Sequence, residues 1–216
     1  MDKTQTPDAL MLLGTRCPHC PSVLQGLADL VKQGRIRRLE VVNLDQAPEV
    51  AAALGVRSVP WVRLGPFELT GLHSPEELRR WAERAESEAG WAQWCAERLN
   101  EGALPRVLER VREDERWLDA LIWLLGDADT SVNVRIGIGA VIEDLAGTEM
   151  LRARGDRLGA LVEHENPTVR ADAAHFLGFV GSAEVAPRLE RLLRDPDPNV
   201  REIAAESLAR FASDLT

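Results

Sequence analysis

Only three cysteines stand in the 216 residues, Cys17, Cys20 and Cys95, too few for a scaffold built on disulfides. They also fall short of a closed four-ligand zinc site, because His73, His164 and His175 form no ligand-like pair with them. Long apolar runs are missing. No stretch is long enough to cross a bilayer, and the opening Met1-Asp2-Lys3-Thr4-Gln5-Thr6-Pro7 has no apolar signal core, so the expected location is the cytoplasm. Cationic charge is in deficit as well, with 26 Lys and Arg against 35 Asp and Glu and a formal net charge of -9. The deficit is uneven: residues 1–82 hold ten basic and nine acidic side chains, whereas residues 83–216 hold sixteen and twenty-six. Nucleic acid and anionic membrane both need a cationic footprint, so neither is an expected partner.

Among the little cysteine there is, two residues are placed for chemistry. Cys17-Pro18-His19-Cys20 follows the apolar run Ala9-Leu10-Met11-Leu12-Leu13-Gly14 and opens a stretch patterned as a helix. Free N–H groups and the positive end of the helix dipole stabilise a thiolate at such a position, and the thiolate is the species that attacks a disulfide. Cys17 is the candidate nucleophile and Cys20 the candidate resolving thiol. Arg16 favours the Cys17 thiolate by charge, and His19 does the same when protonated. The motif alone is open to three readings, namely a redox pair, half of a zinc site, or coincidence.

The surrounding pattern narrows them. Val23, Leu24, Leu27, Leu30 and Val31 recur at helical spacing and Gly34 follows as a stop. Leu39 to Leu44 predicts a strand, Glu49 to Leu54 a helix, and Trp61 to Leu64 with Phe67 to Leu69 a hairpin turned by Gly65-Pro66. Ser74-Pro75-Glu76-Glu77 carries the N-cap, proline and acidic residues that start a terminal helix. The order is β-α-β-α-β-β-α.

With Cys17-Pro18-His19-Cys20 and Ser58-Val59-Pro60 in that order of elements, residues 8–86 resemble the thioredoxin superfamily. The nearest resemblance is to glutaredoxin-like units of archaeal protein disulfide oxidoreductases and to the amino-terminal domain of bacterial alkyl hydroperoxide reductase flavoproteins, which also place a proline after the second cysteine, as Pro21 is here. The resemblance implies a cis peptide before Pro60 beside the dithiol, and main-chain pairing of Val59 with a substrate segment. Two positions depart from thioredoxin: Arg16 stands where a tryptophan is common, and Met11 where a buried acid lies.

From Leu104 onward the pattern is helical and repetitive. Val134-Arg135, Val169-Arg170 and Val200-Arg201 open three alignable segments, 35 and 31 residues apart, each preceded by an Asp, Asn or Pro turn. Small residues after each arginine permit close helix approach, and the segments resemble HEAT repeats of the short bacterial type. Each of these arginines is expected to pair with acids along the stack. Leu104 to Arg112 and Trp117 to Leu125 read as an earlier, degenerate pair, and Trp81 to Leu99 as a helical connector. Its tryptophans would form a seam between the domains; a rigid junction is expected, with Gly71 and the stretch from Gly90 to Gly102 as the alternative hinges. Cys95, within this helix, reads as a small core residue.

The expected fold is therefore an α/β thioredoxin-like N-terminal domain (1–86), a connector or degenerate first repeat (87–114), and an all-α HEAT-like solenoid (115–216). The expected activity is thiol-disulfide exchange by Cys17 and Cys20 on a protein client bearing a disulfide or thiol, seated by Val59 and Pro60 and docked by the repeats. Such exchange needs no cofactor or metal. Its direction and its electron donor are left open. Two alternatives stand beside it: a non-catalytic redox-sensing adaptor, and a dithiol that binds a soft metal.

Overall fold

A computed structural model gives the fold, described for residues 6–214 and for side chains through residue 210. Residues 1–5, most of the opening segment read above for a signal core, lie outside that range. Two compact units divide between Trp91 and Ala92.

The first unit is a four-stranded mixed sheet in the order β2-β1-β3-β4. Strand β1 (Asp8–Leu13) pairs in parallel with β2 (Arg38–Asn43) through the crossover helix α1 (Cys20–Lys32). The short helix α2 (Pro48–Ala53) buries no residue and leads to the antiparallel hairpin β3 (Trp61–Leu64) and β4 (Phe67–Thr70). Ala9, Met11 and Leu12 are buried along β1, and Asp8, Leu10 and Leu13 are half-buried. Met11, at the position where thioredoxins carry an acid, is fully buried among apolar residues. Helix α3 (Pro75–Ala85) begins with the full capping box foreseen from sequence: the Glu77 amide donates to the Ser74 hydroxyl, and the Glu77 carboxylate accepts from the Ser74 amide. Helices α1 and α3 approach closely at Gly26, where an added Cβ would lie 2.9 Å from the Leu78 side chain.

The stretch from Trp81 to Leu99, expected to be a helical connector, is helical in two pieces. Helix α3 ends at Ala85 and α4 (Glu88–Asn100) starts anew, because the Ser87 hydroxyl accepts the Gly90 amide at 3.0 Å and caps a second helix. Trp81 stacks on Phe67 of β4 at 5.1 Å, Trp91 donates its indole N–H to the Ala85 carbonyl at 3.2 Å, and Trp94 stacks on Trp117 at 5.0 Å. Gly90 is no hinge. It is helical and buried, and an added Cβ would stand 2.3 Å from the Arg84 carbonyl oxygen and 2.5 Å from the Arg84 Cα. Alanine is favoured over glycine in a helix by roughly 1 kcal/mol, yet backbone overlap of this kind costs about 2–3 kcal/mol or more. Gly90→Ala should therefore lower stability by about 1–2 kcal/mol. A urea midpoint equal to or above that of wild type would refute the close packing.

The second unit is helical throughout its described residues. After α5 (Leu104–Glu113), helix α6 (Arg116–Leu125) pairs with α7 (Val132–Asp144). The broken first helix α8 (Glu149–Arg152) and α9 (Gly155–Ala160) pairs with α10 (Pro167–Leu177), and α11 (Ala186–Leu192) with α12 (Pro198–Asp214). The Val-Arg arginines turn back onto the loops before their helices, where helix C-termini leave carbonyls without intrahelical partners. Arg135 donates to the carbonyls of Leu125, Asp127 and Thr130 and to the Asp172 carboxylate. Arg170 donates to the carbonyls of His164 and Glu165 and grips Asp195 with two bonds of 2.8 Å. Arg201 caps the carbonyls of Asp195 and Pro196. One buried cation was not singled out in the sequence: Arg154, immediately before α9, bridges Glu115, which precedes α6, and Asp119 within it.

Among the described residues, no helix is long and apolar enough to cross a membrane.

Candidate active site

Strand β1 delivers the chain to a turn, Gly14 to Cys17, closed by a hydrogen bond from the Cys17 amide to the Gly14 carbonyl at 3.1 Å. Helix α1 begins at Cys20 with His19 as its N-cap, so Cys17 sits just outside the helix rather than within its first turn. That placement puts the sulfur in front of the free amides. The Cys20 N–H donates to Cys17 Sγ at 3.1 Å, the contact that would hold a thiolate there once the pair is reduced.

Cys17 and Cys20 form a disulfide with their Cα atoms 5.5 Å apart. The two sulfurs are unequal in access: Cys17 is partly exposed, Cys20 is buried at 3% exposure. An attacking thiol must reach a partner and a resolving thiol need only reach its neighbour, so burial alone distinguishes the two. Arg16, Pro18 and His19 are all exposed around Cys17. Pro21 follows at the start of α1, where a missing N–H costs nothing.

Pro60 follows a cis peptide bond from Val59. The register of β1 with β3 pairs Leu12 with Trp61, and continuing it brings Val59 alongside Gly14. The contact agrees, since a Cβ at Gly14 would lie 3.5 Å from Val59 Cγ2. Sheet pairing thus gathers residues more than forty positions apart into one surface. The Pro60 carbonyl accepts the Gly71 amide at 2.9 Å, and Gly71 takes φ of +92°, which presents Leu72 at 55% exposure beside that strand end. Leu72 was not singled out from sequence, and nothing in its local pattern marks it.

Three further residues missed by sequence reading support the turn. The Thr15 amide donates to Asp45 Oδ2 at 2.7 Å, Asn43 Nδ2 donates to Thr15 Oγ1 at 3.1 Å, and the Asp45 amide donates to Asn43 Oδ1 at 3.0 Å. Hydrogen bonding to the Thr15 side chain and amide holds the Asp45 carboxyl below its ordinary range, with the Arg16 charge adding to the effect. Asn and Asp after a strand read as turn formers, so their reach to a loop about thirty residues away had no sequence signal.

Cys95 lies apart in this respect: it is fully buried in α4, and desolvation pushes its thiol up to about 12. Among the described residues, no group of three or more His, Cys, Asp or Glu is arranged to hold a metal ion.

Comparison with known proteins matches both parts of the chain. A family model for a thioredoxin domain covers residues 9–83, and one for HEAT repeats covers residues 118–209, starting within α6. Among curated proteins, a stretch of 49 residues is 47% identical to a deoxyhypusine hydroxylase of Eremothecium gossypii. The match takes in 23% of this chain and only 15% of that protein.

Proposed function

From a chain that joins a thioredoxin domain to HEAT repeats, we propose a thiol-disulfide oxidoreductase that acts on protein disulfides through Cys17 and Cys20. The observation that carries this reading is the pair itself: a bonded Cys17 and Cys20, the first accessible and the second buried, with Pro60 on the neighbouring strand end. In the reducing direction the Cys17 thiolate attacks one sulfur of the client disulfide and expels the other as a thiolate, leaving a mixed disulfide. The Cys20 thiolate then attacks Cys17 Sγ and releases the second client sulfur. The client gains two electrons and, on protonation, two hydrogens, while the Cys17–Cys20 disulfide is regenerated. The oxidising direction is the same path reversed.

Several local features support the assignment. The Cys20 amide stabilises negative charge on Cys17. The main chain of Val59, outside the regular strands, makes no backbone hydrogen bond among the described residues and is available to pair with an extended segment. The apolar Leu72 borders the same strand end. Buried Met11 leaves no acid beneath Cys20 to take its proton, which favours slow turnover in the reducing direction. In the same reading the repeats hold the client, raising its local concentration at Cys17. The deoxyhypusine hydroxylase match covers too little of either chain to carry that chemistry over.

The deciding experiment is the reduction potential of the couple, from thiol labelling across a glutathione or dithiothreitol series with Cys95→Ser. A value near about −270 mV assigns a reductase and one near about −120 mV an oxidant. Failure to form a reversible intramolecular disulfide removes the enzyme reading and leaves the adaptor and the soft-metal dithiol. The docking role is tested separately: a client trapped by Cys20→Ser in the full chain should be lost when Val132 and Ile136, exposed on α7, are changed to glutamate. Unchanged trapping argues against a contribution from that part of the repeats.

A further inference from the structure

We propose that Asp45 is a positioning residue for Cys17, clamping the Gly14–Cys17 turn through Thr15 and opposing the charge of Arg16. This rests on the assignment of Cys17 as the nucleophile.

The turn that presents Cys17 is held at its second residue from two directions. The Thr15 amide is bound by the Asp45 carboxylate, and its hydroxyl by the Asn43 amide. Asn43 also fixes Asp45 by accepting its amide, so the three side chains form one closed set. Asn43 ends β2 and Asp45 stands in the loop after it, which is tied to the end of β1 by the Leu44 amide, a donor to the Leu13 carbonyl at 2.9 Å. The carboxylate also comes close to the first residue of the turn, 4.0 Å from where a Gly14 Cβ would be.

Two consequences follow for the sulfur. The Thr15 N–H is committed to Asp45 rather than to the sulfur, and the amide that donates to Cys17 Sγ is that of Cys20. The second concerns charge. Arg16, beside Cys17, favours the thiolate by charge, and the Asp45 carboxylate, 2.7 Å from the amide of the adjoining Thr15, brings the opposite charge to the same turn. The groups around the turn are Arg16 and His19 from the motif, Asp45 from the β2–α2 loop, and the apolar Val59 and Pro60 before β3. Among these Asp45 is the one acid. It raises the energy of a thiolate at Cys17 while Arg16 lowers it, and the balance sets how oxidising the disulfide is.

Asp45→Asn separates the two roles, because an amide oxygen still accepts the Thr15 N–H while the charge is gone. The test is alkylation of Cys17 by iodoacetamide in the reduced full chain, followed by mass spectrometry from about pH 4 to about pH 10. The Asp45→Asn profile should move to lower pH, with the rate at about pH 6 rising about threefold to tenfold. Adding Arg16→Gln should return it to within about twofold of wild type. A profile superimposed on wild type overturns the proposal, as does a double variant that keeps the whole rise. A second measurement needs no variant: the Asp45 carboxyl carbon shift in the reduced wild type should show an inflection at the pH where Cys17 ionises, and a flat response there overturns the coupling. Neither readout requires turnover. If wild type cycles its disulfide but these shifts are absent, only the role of Asp45 fails; if wild type forms no reversible disulfide, the oxidoreductase reading fails whatever Asp45 does.

Discussion

Cys17→Ser should abolish disulfide exchange, lowering the rate by on the order of 10³-fold or more, because no other thiol in the protein can make the first attack. Cys20 is buried and Cys95 is both fully buried and raised to about 12, so neither replaces an accessible thiolate at neutral pH. Cys20→Ser should differ in kind. The first attack by Cys17 proceeds, resolution does not, and the variant accumulates as a mixed disulfide visible by mass spectrometry. Cys95→Ser should leave exchange near the wild-type rate, and native Cys95 should stay unlabelled until the protein unfolds. Equal residual activity in Cys17→Ser and Cys20→Ser would contradict the division of labour inferred from their unequal exposure.

The largest effect expected on stability comes from Arg170 and Asp195. Both side chains are nearly inaccessible, at 12% and 5% exposure, and they share a bidentate bond. Arg170→Ala removes the cation and leaves Asp195 buried without its partner, a change of the kind that costs about 3–5 kcal/mol. It also frees the carbonyls of His164 and Glu165. Unfolding in urea should show the loss in the second unit. Arg201→Ala should cost less, about 1–2 kcal/mol, because Arg201 bonds carbonyls and its loss strands no buried carboxylate.

The same pair sets a pH dependence. The Arg170 hydrogen bonds hold the Asp195 carboxyl below its ordinary range, helped by the Asp197 amide and by the charges of Arg170 and Arg201. A carboxyl depressed in the folded state stabilises the fold fully above its unfolded value, near about 3.9, and loses that contribution as pH falls through the folded value. Stability should therefore drop below about pH 4, and Asp195→Asn should flatten that drop. An acid limb unchanged in the variant would show that other carboxylates govern it.

Much of this was readable in advance, and the reasons differ from element to element. The strand Trp61–Leu64 and the capping box at Ser74 depend on neighbours a few residues away, so local pattern suffices. The repeats were visible because each copy restates the same Val-Arg and turn, and Arg135 and Arg170 meet acids along the stack as expected. Helical propensity runs on both sides of Ser87, and only the capping bond to Gly90 marks where one helix ends and the next begins. Gly90 looked like freedom and is close packing, since sequence shows that a side chain is absent but not what occupies its place.

Sequence by itself determined the two-part organisation, the dithiol and the proline that accompanies it, because spacing along the chain carries each of them. Tertiary structure decided which sulfur is accessible, where Leu72 comes to the surface, and that Thr15, Asn43 and Asp45 brace the turn before Cys17. The physical reason is that these depend on strand register. The pairing of β1 with β2 sets Asn43 and Asp45 beside Thr15, and its pairing with β3 sets Val59 beside Gly14. Hydrogen bonds across a sheet join residues by position in space, and no periodicity along the chain records which ones will meet.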